Sequence, residues 1–281
     1  MDIQNKNGIE YLETIENDSV DFILTDPPYI TSKETGMDNF KKMIDENKEA
    51  GIEFVKTEEE WESVKDNYKD KFSEFSEETM KTNYMKFGTI YGSKYSVQTK
   101  YGKWDENFTL DMLEEFIQIY YKKLRKGGTM IMFFDIWKIT PLKELLEKYK
   151  FKQIRFIEWI KTNPQPLNQS VNYLTNSREI ALVGVKGGKP TFNSKYDNGL
   201  YESEIYKFPI QGGKKRFHPT QKSLPLFEAL IKKHSNEGDV VLDTFLGSGT
   251  TAIACKKNNR KFKGCEASKE YYDKLMEIVN D

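Results

Sequence analysis

Residues 238–251 read Gly-Asp-Val-Val-Leu-Asp-Thr-Phe-Leu-Gly-Ser-Gly-Thr-Thr, a run that few folds accommodate. Val240 to Leu242 is a short apolar strand, Gly247 and Gly249 permit a tight turn, and Thr250 to Lys257 continues as helix. A strand that turns through glycines straight into a helix aims free helix N–H groups at whatever sits on the turn. Lys261 to Cys265 supplies the next strand, and Glu266 ends it, 19 residues after Gly247. A carboxylate there can accept hydrogen bonds from both hydroxyls of a ribose. Taken alone, Gly247-Ser248-Gly249-Thr250-Thr251-Ala252 also fits the dinucleotide pattern G-x-G-x-x-A, so the turn specifies only an adenosine-type cofactor. Asp243 shifts the balance toward S-adenosylmethionine, because a strand-end carboxylate suits the ammonium of a methionine moiety and repels a pyrophosphate.

The rest of the chain alternates strand and helix. Val20 to Leu24 is a buried strand stopped by Asp26-Pro27-Pro28-Tyr29. Thr57, with Glu60 three residues on, opens a helix over Lys56 to Lys71. Leu110 to Leu124 is an amphipathic helix closed by Gly127-Gly128, Thr129 to Phe134 a buried strand, and Pro141 to Tyr149 a helix. Strands follow at Phe151 to Ile160 and Glu179 to Val185, then a loop-rich stretch over 186–217, helices at Leu224 to His234 and Lys269 to Val279, and no internal repeat. This order argues for a doubly wound α/β sheet, whose ligands sit beyond the carboxyl ends of its strands.

Composition narrows the partners. A chain of 281 residues with 37% hydrophobic content and no long apolar run is globular, and its first residues lack a basic segment followed by an apolar one, so a cytoplasmic location is expected. Two cysteines, Cys255 and Cys265, make neither a disulfide framework nor a metal set. Net charge is −1, so any nucleic-acid contact must come from a local patch. Residues 41–80 hold 13 acidic side chains against 7 lysines, which fits a lid, a dimer contact or a mobile insert. Residues 81–104 hold no acid, and their lysines, among them Lys94, Lys100 and Lys103, interleave with Tyr84, Phe87, Tyr91, Tyr95, Tyr101 and Trp104. That segment reads equally as a phosphate track with stacking platforms and as a solvated loop that buries its aromatics.

Asp26-Pro27-Pro28-Tyr29 carries the most specific chemistry. An aromatic amine has its lone pair drawn into the ring, and two acceptors aimed at the amino hydrogens return it to nitrogen. The Asp26 carboxylate supplies one and the Pro27 carbonyl the other, with Pro28 helping to fix the backbone and Tyr29 offering a face for an extruded base. Methyl transfer from a sulfonium needs alignment and electrostatics rather than a metal or a strong base. Read blandly, Asp-Pro-Pro is a turn and Tyr29 merely packs.

With both motifs in hand, the chain resembles the S-adenosylmethionine-dependent DNA amino-methyltransferases of the beta subgroup, in which the Asp-Pro-Pro-Tyr motif precedes the Phe-x-Gly-x-Gly motif, here Phe245 to Gly249. His218-Pro219-Thr220-Gln221-Lys222-Ser223-Leu224 is similar to the family segment that holds the methionine part of the cofactor, with Thr220 and Lys222 apt for its carboxylate. Gly127-Gly128-Thr129, Trp159 to Pro164 and Trp104-Asp105 resemble further landmarks, and the likeness spans roughly 1–29 and 104–281. Thr244 stands where relatives often carry Pro, and Asn7 where they often carry an Asp facing the cofactor's adenine.

The resemblance implies a mostly parallel, seven-stranded methyltransferase sheet that the chain enters in its middle, with loop-rich DNA-recognition insertions. It divides the chain into a catalytic half at 1–29 and 104–164, an insertion at 30–103, a target-recognition region at 165–217 and a cofactor half at 218–281. It places cofactor contacts at Asn7, Asp26, His218, Thr220, Gln221, Lys222, Ser223, Asp243, Phe245, Gly247, Ser248, Gly249, Thr250 and Glu266. DNA contacts are expected from Arg178, Lys214, Lys215 and Arg216 together with the 81–104 lysines. The implied reaction is N6 methylation of a flipped adenine in duplex DNA, in a restriction–modification or similar bacterial or phage system. A homodimer and a cognate endonuclease are implied by analogy. His234 reads as a polar residue at a helix end. The alternatives are cytosine N4 methylation, an amino-methyltransferase for RNA or protein, a nicotinamide-dependent oxidoreductase, and an inert DNA-binding partner.

Overall fold

The computed structural model describes residues 1–29, 51, 53, 54, 56–71, 75–88, 90, 108–164, 176–194, 202–212 and 220–280. The chain divides into two compact units, Met1–Ile30 with Tyr101–Asp281, and Thr31–Lys100. Among the described residues the strands are β1 Asp2–Gln4, β2 Val20–Thr25, β3 Leu124–Phe134, β4 Lys152–Lys161, β5 Arg178–Val185, β6 Ile205–Phe208, β7 Val240–Asp243 and β8 Lys261–Cys265. The helices are α1 Gly8–Glu13, α2 Glu58–Val64, α3 Glu77–Phe87, α4 Leu110–Lys123, α5 Ile139–Lys148, α6 Leu224–His234, α7 Thr250–Lys257 and α8 Lys269–Asn280.

The larger unit is one sheet in the order β1-β8-β7-β2-β3-β5-β4-β6. Every pairing is parallel except those of β5, which runs against both β3 and β4. Central strands bury both faces, which is why Thr129 to Phe134 reads as an unbroken apolar run. Met130, Met132 and Phe134 turn toward α1, α4 and α5, while Ile131 and Phe133 turn toward α6, α7 and α8. Each such fully buried side chain stabilises the fold by roughly 1.5–3 kcal/mol.

Three expectations are corrected here. Among the described residues the sheet has eight strands rather than seven, because Ile205–Phe208, inside the stretch read as loop, pairs with β4 and takes a 2.9 Å hydrogen bond from Trp159 Nε1 at the Phe208 carbonyl. The chain does not enter the sheet in its middle: β1 lies on the edge beside β8, and β2 is the first central strand. Gly127-Gly128 does not stop α4, which hands over to β3 at the extended Leu124 (φ −61, ψ 137). Gly127 instead has φ +79 and donates to the Lys186 carbonyl at 2.9 Å, and a Cβ there would lie 2.5 Å from the Lys189 carbonyl oxygen.

The smaller unit has its own core of Trp61, Met80 and Ile90. Thr57 and Glu60 form the expected reciprocal cap, and α2 tightens into a 3-10 turn over Lys65–Lys71. Tyr84 packs on Trp61 with ring centroids 5.7 Å apart, and Lys81 and Lys86 pair with Glu58 and Glu53. Lys94, Lys100 and Lys103 lie outside the described residues.

Candidate active site

The carboxyl ends of β2, β4, β7 and β8 share one edge of the sheet, and β5, being reversed, begins there. Topology alone therefore gathers Asp26, Lys161, Glu179, Asp243 and Glu266. β2 and β7 pair only through Phe22 with Val241 and Ile23 with Leu242, and beyond that register a side-chain bond from Thr25 Oγ1 to Asp243 Oδ1 (2.8 Å) continues the contact.

Asp243 organises the glycine turn. It is 3% exposed, with Oδ1 also accepting from the Phe245 N–H (3.0 Å) and Oδ2 from Thr251 Oγ1 (2.6 Å). Burial pushes its carboxyl up to about 6 against these donors. Gly247 donates its N–H to Glu266 Oε2 (2.7 Å) and Ser268 to Oε1 (2.8 Å), so this carboxylate ties the glycine turn to the backbone that follows β8. Ser248 and Thr250 share a hydroxyl contact of 3.0 Å. Gly249, at φ +72, begins α7 where a Cβ would run into Leu275. Phe245 packs on Phe116 with centroids 4.7 Å apart. The Thr244 hydroxyl bonds to the buried Tyr120 hydroxyl, a contact that proline could not make.

Asp26 leads the other motif. Its Oδ2 pairs with Lys222 Nζ at 2.9 Å, while Oδ1 is buried and has no hydrogen-bond partner among the described residues. Lys222 also meets Glu179 Oε2 (2.5 Å) and the Tyr29 hydroxyl (3.2 Å), and lies 5.3 Å from the Tyr29 ring centroid. Glu179 in turn binds Lys161 through Oε1 at 2.9 Å. Burial pushes the Asp26 carboxyl up to about 6, against the pull of the Lys222 ammonium. Burial opposes ionisation of Glu179 too, but Lys222 and Lys161 together hold it down at about 2. Burial also disfavours the Lys222 ammonium, yet Asp26 and Glu179 keep it well above the ordinary lysine range.

One cavity joins the two motifs: Asp26, Lys222 and Thr220 line one part, and Asp243, Phe245, Gly247, Ser248, Thr250 and Thr251 another, with Phe227 and Leu246 as apolar wall. Pro27 is buried, and Pro28 and Tyr29 are half-buried beside it. Ser223 is the N-cap of α6, 1% exposed, with no partner for its Oγ among the described residues, and Gln221 is half-buried. Asn7 is the exposed N-cap of α1, its Oδ1 taken by the Ile9 N–H at 2.9 Å, while Asn5 Nδ2 reaches the Glu266 carbonyl at 2.7 Å. Arg178, at the start of β5, pairs with Glu158 at 2.8 Å. His218, Lys214, Lys215 and Arg216 lie outside the described residues. No three His, Cys, Asp or Glu among the described residues are grouped to hold a metal, and no described helix is long and apolar enough to cross a membrane.

Sequence reasoning missed Glu179, Thr25 and Thr251. Nothing in the local pattern marks Glu179, since its place depends on β5 being reversed. Lys161 had a signal in the Trp159 to Pro164 landmark.

A doubly wound sheet with one reversed strand, whose glycine turn and Asp-Pro-Pro-Tyr strand end open into one cavity, defines the class as a methyltransferase acting on amino groups. The family model of the N6/N4 methyltransferases, described as DNA methylase, matches residues 20–277, and the chain belongs to that family. Type II methyltransferase M2.DpnII of Streptococcus pneumoniae is 32% identical over 197 residues, covering 64% of this chain and 73% of that protein. Type II methyltransferase M2.LlaDCHI of Lactococcus lactis subsp. cremoris is 27% identical over 276 residues, 94% of this chain and 84% of that protein. The crystal structure of the M1.HpyAVI–SAM complex matches with a TM-score of 0.62 and 26% identity over 100% of this chain and 99% of that one.

Proposed function

We propose that the protein transfers a methyl group from S-adenosylmethionine to N6 of an adenine turned out of duplex DNA at a specific sequence, as the modification enzyme of a type II restriction–modification system. The observation that carries this is Asp26 Oδ1, a buried carboxylate oxygen without a partner among the described residues, beside the cavity that the glycine turn also lines. A buried acceptor left unmatched is costly, and an amino N–H satisfies it.

The residues fit the cofactor. Glu266, Asp243 and Thr220 offer polar groups for its ribose and amino-acid parts, Gly247, Ser248, Gly249 and Thr250 a close backbone approach, and Phe245 with Leu246 an apolar wall. When bound there, S-adenosylmethionine supplies an electrophilic methyl group. The protein's part is positional: Asp26 and the Pro27 carbonyl accept the two amino hydrogens, which localises the nitrogen lone pair, and Tyr29 stacks on the base. The order of the motifs, Asp26 ahead of Phe245, supports the beta subgroup, and Asp at the first motif position supports adenine over cytosine. The relatives named type II methyltransferases support the restriction–modification setting. A cytoplasmic location, a homodimer and a cognate endonuclease extend the same reading.

The test is nucleoside mass analysis of duplex DNA after incubation with the protein and labelled S-adenosylmethionine. N6-methyladenine is the expected product. N4-methylcytosine would move the assignment to the other base, and transfer to RNA or protein alone would remove DNA from it.

A further inference from the structure

We propose that Glu179 is a positioning residue for the reacting carboxylate: it holds the Lys222 ammonium against Asp26 Oδ2, so that Oδ1 alone is presented to the target amino group. This rests on the methyl-transfer reading above and adds to it a part played by β5.

A lysine ammonium has three hydrogens, and here three acceptors surround it: Asp26 Oδ2, Glu179 Oε2 and the Tyr29 hydroxyl. Lys222 is 8% exposed at its side chain, with the ring of Phe133 5.5 Å away, so little solvent reaches those hydrogens. Glu179 cannot rotate to follow the lysine, because its other oxygen is tied to Lys161. The chain Lys161–Glu179–Lys222–Asp26 thus alternates in sign and is fixed at both ends by strands of the sheet, β4 and β2. A carboxylate pinned through one oxygen has one oxygen left, and in Asp26 that is the buried Oδ1, unpartnered among the described residues. Glu179 Oε2 also accepts from the Tyr29 hydroxyl at 3.3 Å, so the same carboxylate sets the tilt of the ring expected to stack on the base.

The charges facing Asp26 come from Lys222 ahead of α6, Glu179 of β5 and Asp243 of β7, with Tyr29 beside it and Lys161 of β4 behind Glu179. Lys222 favours ionised Asp26; Glu179 and Asp243 oppose it. Two isosteric changes therefore act in opposite directions. Glu179→Gln removes a like charge from Asp26, and Lys222→Met removes an opposite one.

The experiment measures single-turnover methyl transfer against pH, together with affinity for S-adenosylmethionine, in the full chain and its Glu179→Gln, Lys222→Met and Lys222→Arg variants. Glu179→Gln should lower the plateau rate about 10- to 100-fold, as a slackened acceptor does, with the acid limb moved to lower pH and cofactor affinity little changed. Lys222→Met should move the acid limb up by roughly 1–3 pH units, and Lys222→Arg should bring it back. Carbon-13 titration of the Asp26 carboxyl in the same proteins reads these shifts without turnover. If the parent protein methylates no DNA, the function proposed above fails while the titration still decides on Glu179. Limbs and titrations that stay in place, or that move the same way in Glu179→Gln and Lys222→Met, overturn the positioning role. Should Lys222→Met fail to fold, the direction in Glu179→Gln decides alone.

Discussion

The hydroxyl of Thr25 donates to Asp243 Oδ1 at 2.8 Å, which fastens the end of the strand bearing the reacting motif to the end of the strand bearing the cofactor turn. Backbone pairing between the two strands has already ended at Ile23 and Leu242. Thr25→Val keeps the branched shape and removes the donor. Its expected cost is about 1–3 kcal/mol for the buried carboxylate left short of a partner, with weaker cofactor binding. Thermal melts and cofactor titration check it; a variant with parental affinity would mean that the strand ends do not depend on this bond.

Asp26→Ala should abolish turnover and leave affinity for S-adenosylmethionine largely intact. In the proposed reaction the ionised carboxylate is the working form, and burial lifts its titration to about 6. The rate should therefore be full above that pH and fall about tenfold per pH unit below it. An enzyme whose cofactor affinity collapses with Asp26 has its roles assigned the wrong way round.

Glu266→Ala should strike the cofactor first. The change releases the N–H groups of Gly247 and Ser268 as well as removing the acceptor proposed for the ribose. Affinity should fall by at least about tenfold, the equivalent of one charge-assisted hydrogen bond, while the rate at saturating cofactor falls less. Glu266→Gln, which keeps one acceptor oxygen, should lie between.

His234, read from sequence as a polar helix-end residue, is 7% exposed and stacked on Phe22 at 5.7 Å. Burial, and then the Lys233 ammonium, push its imidazole down to about 4. A folded value below the unfolded one means that its contribution to stability is complete above pH 6.5 and is lost as pH falls toward 4, on the order of 3 kcal/mol in all. The melting temperature of the parent should drop across that window more steeply than that of His234→Phe. Parallel curves would show that the imidazole titrates normally.

For the DNA interface, neutralising Lys214, Lys215 and Arg216 should flatten the dependence of log affinity on log salt by about 0.9 for each phosphate that the variant no longer neutralises. Arg178, already paired with Glu158, should contribute less. An unchanged slope removes this segment from the interface.

Much of the sheet was legible because its signals are local. Apolar runs such as Val20 to Leu24 and glycine-flanked turns such as Leu246 to Gly249 need only neighbouring residues to be recognised. β1 and β6 escaped because strands of three and four residues carry too little pattern. In the site, the two motifs stood out by composition, but their wiring did not. Lys222 was assigned to a methionine carboxylate from its segment alone, whereas in the fold its ammonium meets Asp26 and Glu179. A pairing with Asp26 across 196 residues, and another with Glu179 on a reversed strand, leave no periodic trace in the chain.

The reversal of β5 has an evolutionary consequence. β4 finishes and β5 starts as paired neighbours on the rim that carries Asp26 and Asp243, so the link between them has no need to cross the sheet. Lengthening such a link leaves strand register untouched and adds only about 0.6 kcal/mol of closure entropy per doubling. Drift in the length or sequence of residues 162–177 can therefore leave the two strands as they are, with the Lys161–Glu179 ion pair closing the ends of the link.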